Sequence, residues 1–290
     1  MGIIIASRKS KLAQVQTDIV MGMIYEKHKL SSEKLLLDTK GDMILDISLD
    51  KIGGKGVFIK DIEVAMLEGR AEAAVHSMKD VPYEVPEGFE IVAMPAREDV
   101  RDVYVSMNGI TLKELPRNAR IGTSSNRRSA QILALRPDVV MVPIRGNIQT
   151  RVDKIERENL DGIILAAAGL KRLGMECIIT QYFDVEEFVP AIGQGALGIE
   201  ALKTSRYIDI FKSIEDHETR ICVDAERSFM RRLNGGCHSP IGAYARLQNK
   251  DMYIVGVFEL NGRFIKKDIL GSKYDYIRLG ELLGEKIING

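Results

Sequence analysis

Apolar and polar positions along the chain follow two alternating periods. GIII (2–5) is a short apolar run of the length of a buried strand. Behind Ser7 and Ser10, two possible caps, Leu12, Val15, Ile19 and Met23 recur at helical spacing. The strand-then-helix order repeats, with KLLLD (34–38), EAAVHSM (72–78) and EIVAM (90–94) as strands and IKDIEVAMLEGR (59–70) as a helix. Such alternation predicts a mostly parallel sheet covered by helices. AREDVR (96–101) is charged and strand-poor, a crossover, and a second set follows it. ARIGT (119–123), VVMVP (139–143) and DGIILAA (161–167) read as strands, and NRRSAQILALR (126–136) and NIQTRVDKIER (147–157) as helices, which predicts a second α/β lobe. SRKSKLAQ (7–14) and SSNRRSAQ (124–131) share Ser7/Ser124, Ala13/Ala130 and Gln14/Gln131, too few matches to establish a repeat.

VPAIGQGALGIE (189–200), with one proline and three glycines, suits a second crossing between the lobes, and two crossings imply a hinge over a cleft. HETRICVDAERSFMRRL (217–233) then sets Ile221, Ala225, Phe229 and Leu233 every fourth residue, an amphipathic helix stopped by Gly235 and Gly236. IGAYARL, MYIVGVFEL and RFIKKDIL read as strands and the last fifteen residues as a helix, a small α+β domain. The expected domains are 1–95 with 194–214, 96–193, and 215–290.

Composition narrows the classes. At 290 residues the chain is large enough for two or three domains, each with its own core, and 45% apolar residues exclude a disordered tail. Lys+Arg and Asp+Glu balance at 41 each, so no global field draws in nucleic acid or an anionic membrane. MGIIIASRKSKLAQ reaches charge after three consecutive isoleucines, too soon for a signal h-region or a spanning helix, and a cytoplasmic protein is expected. Cysteines at 177, 222 and 237 are odd in number and widely spaced, which argues against a disulfide framework and a structural zinc site.

Four stretches bear on chemistry. In LNGGCHSPIG (233–242), glycines ahead of Cys237 allow a thiol to be presented on a loop, although a free cysteine is more often a small buried hydrophobe. AVHSMKDVP (74–82) ends an apolar strand in His76, Ser77, Lys79 and Asp80, and ligands of open α/β sheets bind at such carboxyl ends; the plain alternative is a solvated turn. Arg8, Arg127, Arg128, Arg145 and Arg151 fall at strand-to-helix turns, where guanidinium forks and helix-start N–H groups together suit a polyanion. IGGKGVF (52–58) lacks the pattern of a phosphate-binding loop and suits a mobile lid. His217, Cys222, Cys237 and His238 offer no pair at metal-ligand spacing, and no metal is expected.

Taken in order, GGKGVFIKDIEVAMLEGRAEAAVHSMKDVP (53–82), IGTSSNRRSAQILALRP (121–137), RGNIQTR (145–151), PAIGQGALGIE (190–200) and AERSFMRRLNGGCHSPIGAYA (225–245) resemble the porphobilinogen deaminases, or hydroxymethylbilane synthases. The resemblance runs from ASRKSKLAQVQT to at least residue 245. It implies two lobes like those of type II periplasmic binding proteins and an α+β third domain with the cysteine loop. It also implies a dipyrromethane cofactor joined to Cys237 through a thioether, onto which four porphobilinogens are condensed head to tail with loss of ammonia. Asp80 would then stabilise the azafulvenium cation and assist proton transfer. Ser77, Lys79, Ser125, Arg127 and Arg128 would contact the cofactor, and Arg8, Ser10, Gln16, Arg145, Arg151 and Gln194 the substrate or growing chain. Lys55 and Phe58 would lie in a mobile loop. The implied partner is porphobilinogen alone, with no nucleic acid or membrane, and the implied state is a monomer. The rival reading is a non-catalytic binder of small anions, since two hinged lobes also suit ligand capture.

Overall fold

The computed structural model describes residues 2–38, 59–235 and 239–290; Lys55, Phe58, Cys237 and His238 lie outside the described residues. The chain divides into two compact units, Met1–Glu98 with Ala196–Ile221, and Asp99–Gly195 with Cys222–Gly290. In chain order the first crossing is preceded by β1 (Ile3–Arg8), α1 (Lys11–His28), β2 (Ser32–Leu37), α2 (Lys60–Leu67), β3 (Ala73–Ser77) and β4 (Phe89–Ala93). Next come β5 (Asp102–Val105), β6 (Arg120–Gly122), α3 (Asn126–Leu135), β7 (Val140–Val142), α4 (Ile148–Arg157), β8 (Gly162–Ala166), α5 (Ala167–Arg172) and β9 (Gln181–Tyr182). The remainder is β10 (Leu197–Leu202), α6 (Ile208–Lys212), α7 (His217–Arg232), β11 (Ile241–Gln248), β12 (Asp251–Leu260), β13 (Arg263–Ser272) and α8 (Tyr276–Ile288). Among the described residues no helix is long and apolar enough to cross a membrane.

The first unit is a five-stranded sheet in the order β2-β1-β3-β10-β4. β1 pairs in parallel with β2 and β3, while β10 is antiparallel to both β3 and β4, so the sheet is mixed rather than mostly parallel. The departure comes from β10, which enters this sheet only after the chain has passed through the other unit. One face of the sheet is closed by α1, with Ile5, Val20, Ile24, Val75 and Ile199 in its core; the other is closed by α2, with Ala6, Ile62, Met66 and Ala74. α1 starts where Ser10 accepts the N–H of Ala13 (3.3 Å) and ends at Lys29, in the left-handed region at φ 56°. Its buried face is Ala13, Gln16, Thr17, Val20 and Ile24. The expected stripe of Leu12, Val15, Ile19 and Met23 is only half-buried, because Gln16 and Thr17 face inward with their polar groups bonded to Ser77 and to the carbonyl of Ala13.

The second unit contains a sheet of the same connectivity, β7-β6-β8-β5-β9, in which β6 is parallel to β7 and β8 while β5 is antiparallel to β8 and β9. The lobes therefore repeat in topology. The faint sequence match does not track that repeat: aligning Ser7 with Ser124 sets Ser10 against Arg127, whereas the helix cap is Ser125, two positions earlier. The strands DVYV (102–105) and QY (181–182) are not visible in the hydrophobic pattern, being short and headed by polar residues.

The unit also holds the antiparallel sheet β11-β12-β13, packed by α7 and α8. α8 crosses α7 at Gly280, where a Cβ would stand 2.2 Å from the carbonyl oxygen of Ala225. Of the two glycines the sequence offers as the stop of α7, Gly236 lies outside the described residues, and Gly235 shares the closure with Asn234. Asn234 takes the left-handed position at φ 48°, its N–H bonds to the carbonyl of Arg231 and that of Gly235 to the carbonyl of Met230, both at 3.0 Å. This double closure satisfies the last helical carbonyls and turns the chain out of the helix just before Cys237.

Candidate functional site

In the first unit the polar residues gather at the carboxyl end of β3. Met78 to Asp80 form one tight turn, held because the N–H of Met78 bonds to the carbonyl of Ala196 (3.0 Å) and that of Val81 to the carbonyl of Met78 (3.2 Å). Pro82 then prevents regular continuation. Ser77 faces α1, where its hydroxyl accepts from the amide of Gln16, a 4% exposed side chain, at 2.9 Å. Lys79 is half-buried and Asp80 is exposed. Among the described residues none forms a hydrogen bond or ion pair with the Asp80 carboxylate. Arg8 ends β1, the neighbour of β3 in the sheet, and Ser10 is committed to capping α1.

In the second unit the arginines of α3 surround a carboxylate that sequence reading missed. Ser125 caps the helix, accepting the N–H of Arg128 (3.4 Å), and the next turn carries Arg127 and Arg128 into the interior, 4% and 6% exposed. Asp102 on β5 is fully buried between them. Arg127 Nη1 donates to one of its oxygens at 2.7 Å, and Arg128 donates Nε and Nη2 to the other at 2.9 and 2.7 Å. Burial alone would push the Asp102 carboxyl up, but the charges of Arg127 and Arg128 and their hydrogen bonds outweigh it and hold the group down at about 2. Burial also lowers Arg127, against the opposing charge of Asp102; a guanidinium remains charged all the same. Gln194 adds a bond from its amide to Asp102 (3.1 Å) and another to the carbonyl of Val100 (2.8 Å). Asp102 opens a strand immediately after charged AREDVR, and nothing in its local sequence distinguishes it from a surface aspartate.

The remaining bonds of these arginines run to the backbone, Arg127 Nη1 to Val189 (2.6 Å) and Arg128 Nη1 to Ile164 (3.0 Å). Nε and Nη2 of Arg127 have no hydrogen-bond partner among the described residues. Gly242, on the strand that follows the cysteine loop, lies against the same arginine: a Cβ there would stand 2.6 Å from the carbonyl oxygen of Pro190 and 2.8 Å from Cδ of Arg127. Arg145 and Arg151 flank the next turn, half-buried, where Asn147 caps α4 and Arg151 Nε donates to the carbonyl of Gly146 (2.8 Å). Thus the structure joins Gln16 to Ser77, and Arg127, Arg128 and Gln194 to one another through Asp102. Among the described residues no group of His, Cys, Asp and Glu could hold a metal ion.

Comparison with known proteins gives this arrangement a family. The model described as porphobilinogen deaminase, dipyromethane cofactor binding domain, matches residues 3–209, and that of the porphobilinogen deaminase C-terminal domain matches 220–289. The porphobilinogen deaminase of Clostridium botulinum is 59% identical over 288 residues and that of Clostridium perfringens 61% over 288, each alignment covering 99% of both chains. Among solved structures, the methionine binding protein MetQ is similar with a TM-score of 0.46 and 12% identity, over 73% of this chain and 89% of that one. Matched from end to end by both domain models and by full-length relatives, the chain belongs to the porphobilinogen deaminase family.

Proposed function

We infer that this protein is a porphobilinogen deaminase acting as a hydroxymethylbilane synthase. It condenses four porphobilinogens head to tail onto a dipyrromethane linked to Cys237, releases four ammonias, and lets water free the linear tetrapyrrole. The observation that carries this reading is the match of residues 3–209 and 220–289 to the two domain models of one family. A non-catalytic anion binder would account for the arginines but not for a cofactor-binding domain.

The residues fit a carboxylate-rich pyrrole cofactor. Each pyrrole carries an acetate and a propionate, and Nε and Nη2 of Arg127 have no hydrogen-bond partner among the described residues, beside the strand that follows Cys237. α3 adds the partial positive charge of its N-terminus at Ser125. Ser77, Lys79, Ser125, Arg127 and Arg128 would hold the dipyrromethane, which supplies, when bound, a nucleophilic free α-carbon on its outer pyrrole. Arg8, Arg145 and Arg151 are the proposed partners of the acetates and propionates of substrate and growing chain, and Ser10, Gln16 and Gln194 complete that set. Lys55 and Phe58 belong to the proposed mobile loop.

Asp80 is the proposed catalytic residue. As the carbon–nitrogen bond of porphobilinogen breaks and ammonia leaves, positive charge spreads over the incoming pyrrole, and a carboxylate accepting its N–H stabilises that charge. A preorganised contact of this kind contributes about 10²–10³ in rate. The same group can shuttle the proton that leaves once the carbon–carbon bond has formed. An aspartate with no arginine partner among the described residues suits the task, since no such partner already offsets its charge. The proposed domains are 1–95 with 194–214, 96–193 and 215–290, supported by the three separate sheets. The protein is further proposed to be a cytoplasmic monomer.

The test is the intact mass of the purified protein before and after incubation with porphobilinogen, with peptide mapping around residue 237. A mass increased by two condensed pyrrole units and mapped to Cys237 is the expected result. Folded protein that stays unmodified after incubation would overturn the reading.

A further inference from the structure

The first unit contains a buried cluster of titratable side chains to which neither the fold nor the proposed chemistry gives a use. His76, on β3 just before Ser77, is 7% exposed, and its Nε2 donates to Oε2 of Glu200 at 2.8 Å. Glu200 is 1% exposed and sits on β10, where it pairs in register with Ala74. Gly198, directly opposite His76, leaves the sheet surface bare, and the thioether of Met78 fills that space: a Cβ at Gly198 would meet its Sδ at 2.3 Å. Glu63 of α2 faces the pair; burial first, then the charge of Glu200, raises its carboxyl above the ordinary range, while His76 and Lys60 act to lower it. The groups around the imidazole are therefore Glu200 from β10, and Glu63 with Lys60 nearby from α2.

A hydrophobic pair in the same place would fill the volume more simply, and a buried polar pair is weak grounds for stability alone. Its geometry does something packing does not. Side chains alternate across β3, so His76 ties the end of the strand to β10 on the α2 face, while Ser77 ties it to Gln16 on the α1 face. The N–H of Met78 to Ala196 adds a third tether. The turn carrying Lys79 and Asp80 leaves the sheet from this three-point clamp.

We propose that His76, through its bond to Glu200, is a positioning residue for Asp80, holding the Ser77–Asp80 turn in the orientation that the reaction needs. This rests on the reading of Asp80 as the catalytic carboxylate. Misplacement of a reacting group by about 1 Å costs on the order of a hundredfold in rate. His76→Ala is therefore expected to lower kcat by about ten- to a hundredfold, with KM for porphobilinogen within about twofold and the covalent cofactor still present by intact mass. His76→Gln, whose amide nitrogen reaches the place of Nε2, should recover most of kcat. The positioning role is overturned if folded His76→Ala turns over at the wild-type rate, or if His76→Gln loses as much kcat as His76→Ala. Asp80→Asn assayed alongside separates the two readings: inactive Asp80→Asn with normal His76→Ala sinks only the positioning role, whereas near-normal Asp80→Asn sinks both.

Discussion

Asp80 and Asp102 are aspartates of opposite circumstance. Asp80 stands exposed at the end of β3, with no ion pair among the described residues, while Asp102 is fully buried on β5 with two arginines bonded to its two oxygens. A carboxylate whose single charge is already outweighed by two guanidinium groups has none left for a cation forming on a substrate. Asp102 therefore orients Arg127 and Arg128, whereas Asp80, the proposed catalytic residue, has no such pairing among the described residues. Glu200 adds a third case, buried like Asp102 but bonded to an imidazole. The antiparallel strands β10 and β5, equivalent in their two sheets, each carry one of these buried carboxylates.

The contrast is broken most directly by removing one charge at a time. Asp80→Asn should lower kcat by about 10²–10³, with the cofactor still attached and the unfolding midpoint little changed, because the side chain is exposed. Turnover near the wild-type level would remove Asp80 from the centre of the reaction. Asp102→Asn should do the reverse to the fold, leaving two buried guanidinium groups without their counter-charge, a loss of about 3–5 kcal/mol in urea unfolding. If this variant instead unfolds with the wild-type midpoint, the arginines draw their support from elsewhere.

Acid sharpens the same contrast. Folding depresses the Asp102 carboxyl from 3.8 to about 2, so its contribution to stability is complete above the ordinary carboxylate range and is lost as pH falls toward about 2. Stability followed by urea titration should decline through that window, and the decline should be shallower in Asp102→Asn. A smaller effect is expected at Gly242. An alanine there meets Pro190 and Arg127 at 2.6 and 2.8 Å, and the clash should cost about 1–3 kcal/mol and reduce the fraction of chains carrying cofactor by intact mass. Smallest is Gln16→Ala: losing its bond to Ser77 should cost about 1 kcal/mol in urea unfolding, with kcat lowered less than in His76→Ala. A larger loss of kcat than at His76 would move the main support of the turn to the α1 face.

The two-period pattern alone identified most of the elements, the second lobe and the C-terminal sheet, though not β5 or β9, since helices and longer strands imprint their periods on consecutive residues. It also marked the turns at the end of β3 and at the starts of α3 and α4, because proline and capping residues mark such turns locally. The ordered motifs carried the family. What the sequence left open are facts of pairing between distant positions. Asp102 meets Arg127 and Arg128 across 25 and 26 residues, and His76 meets Glu200 across 124. Those meetings depend on which strands lie side by side, and β10 and β5 run antiparallel to their neighbours for reasons of chain path that no local window contains. Burial follows from the same source: nothing in the local sequence shows that Gln16 and the two arginines of α3 lie inside, where the tertiary structure supplies their partners. The sequence by itself determined the family to which the chain belongs, and the tertiary structure decided which of its charges are paired inside and which stand exposed.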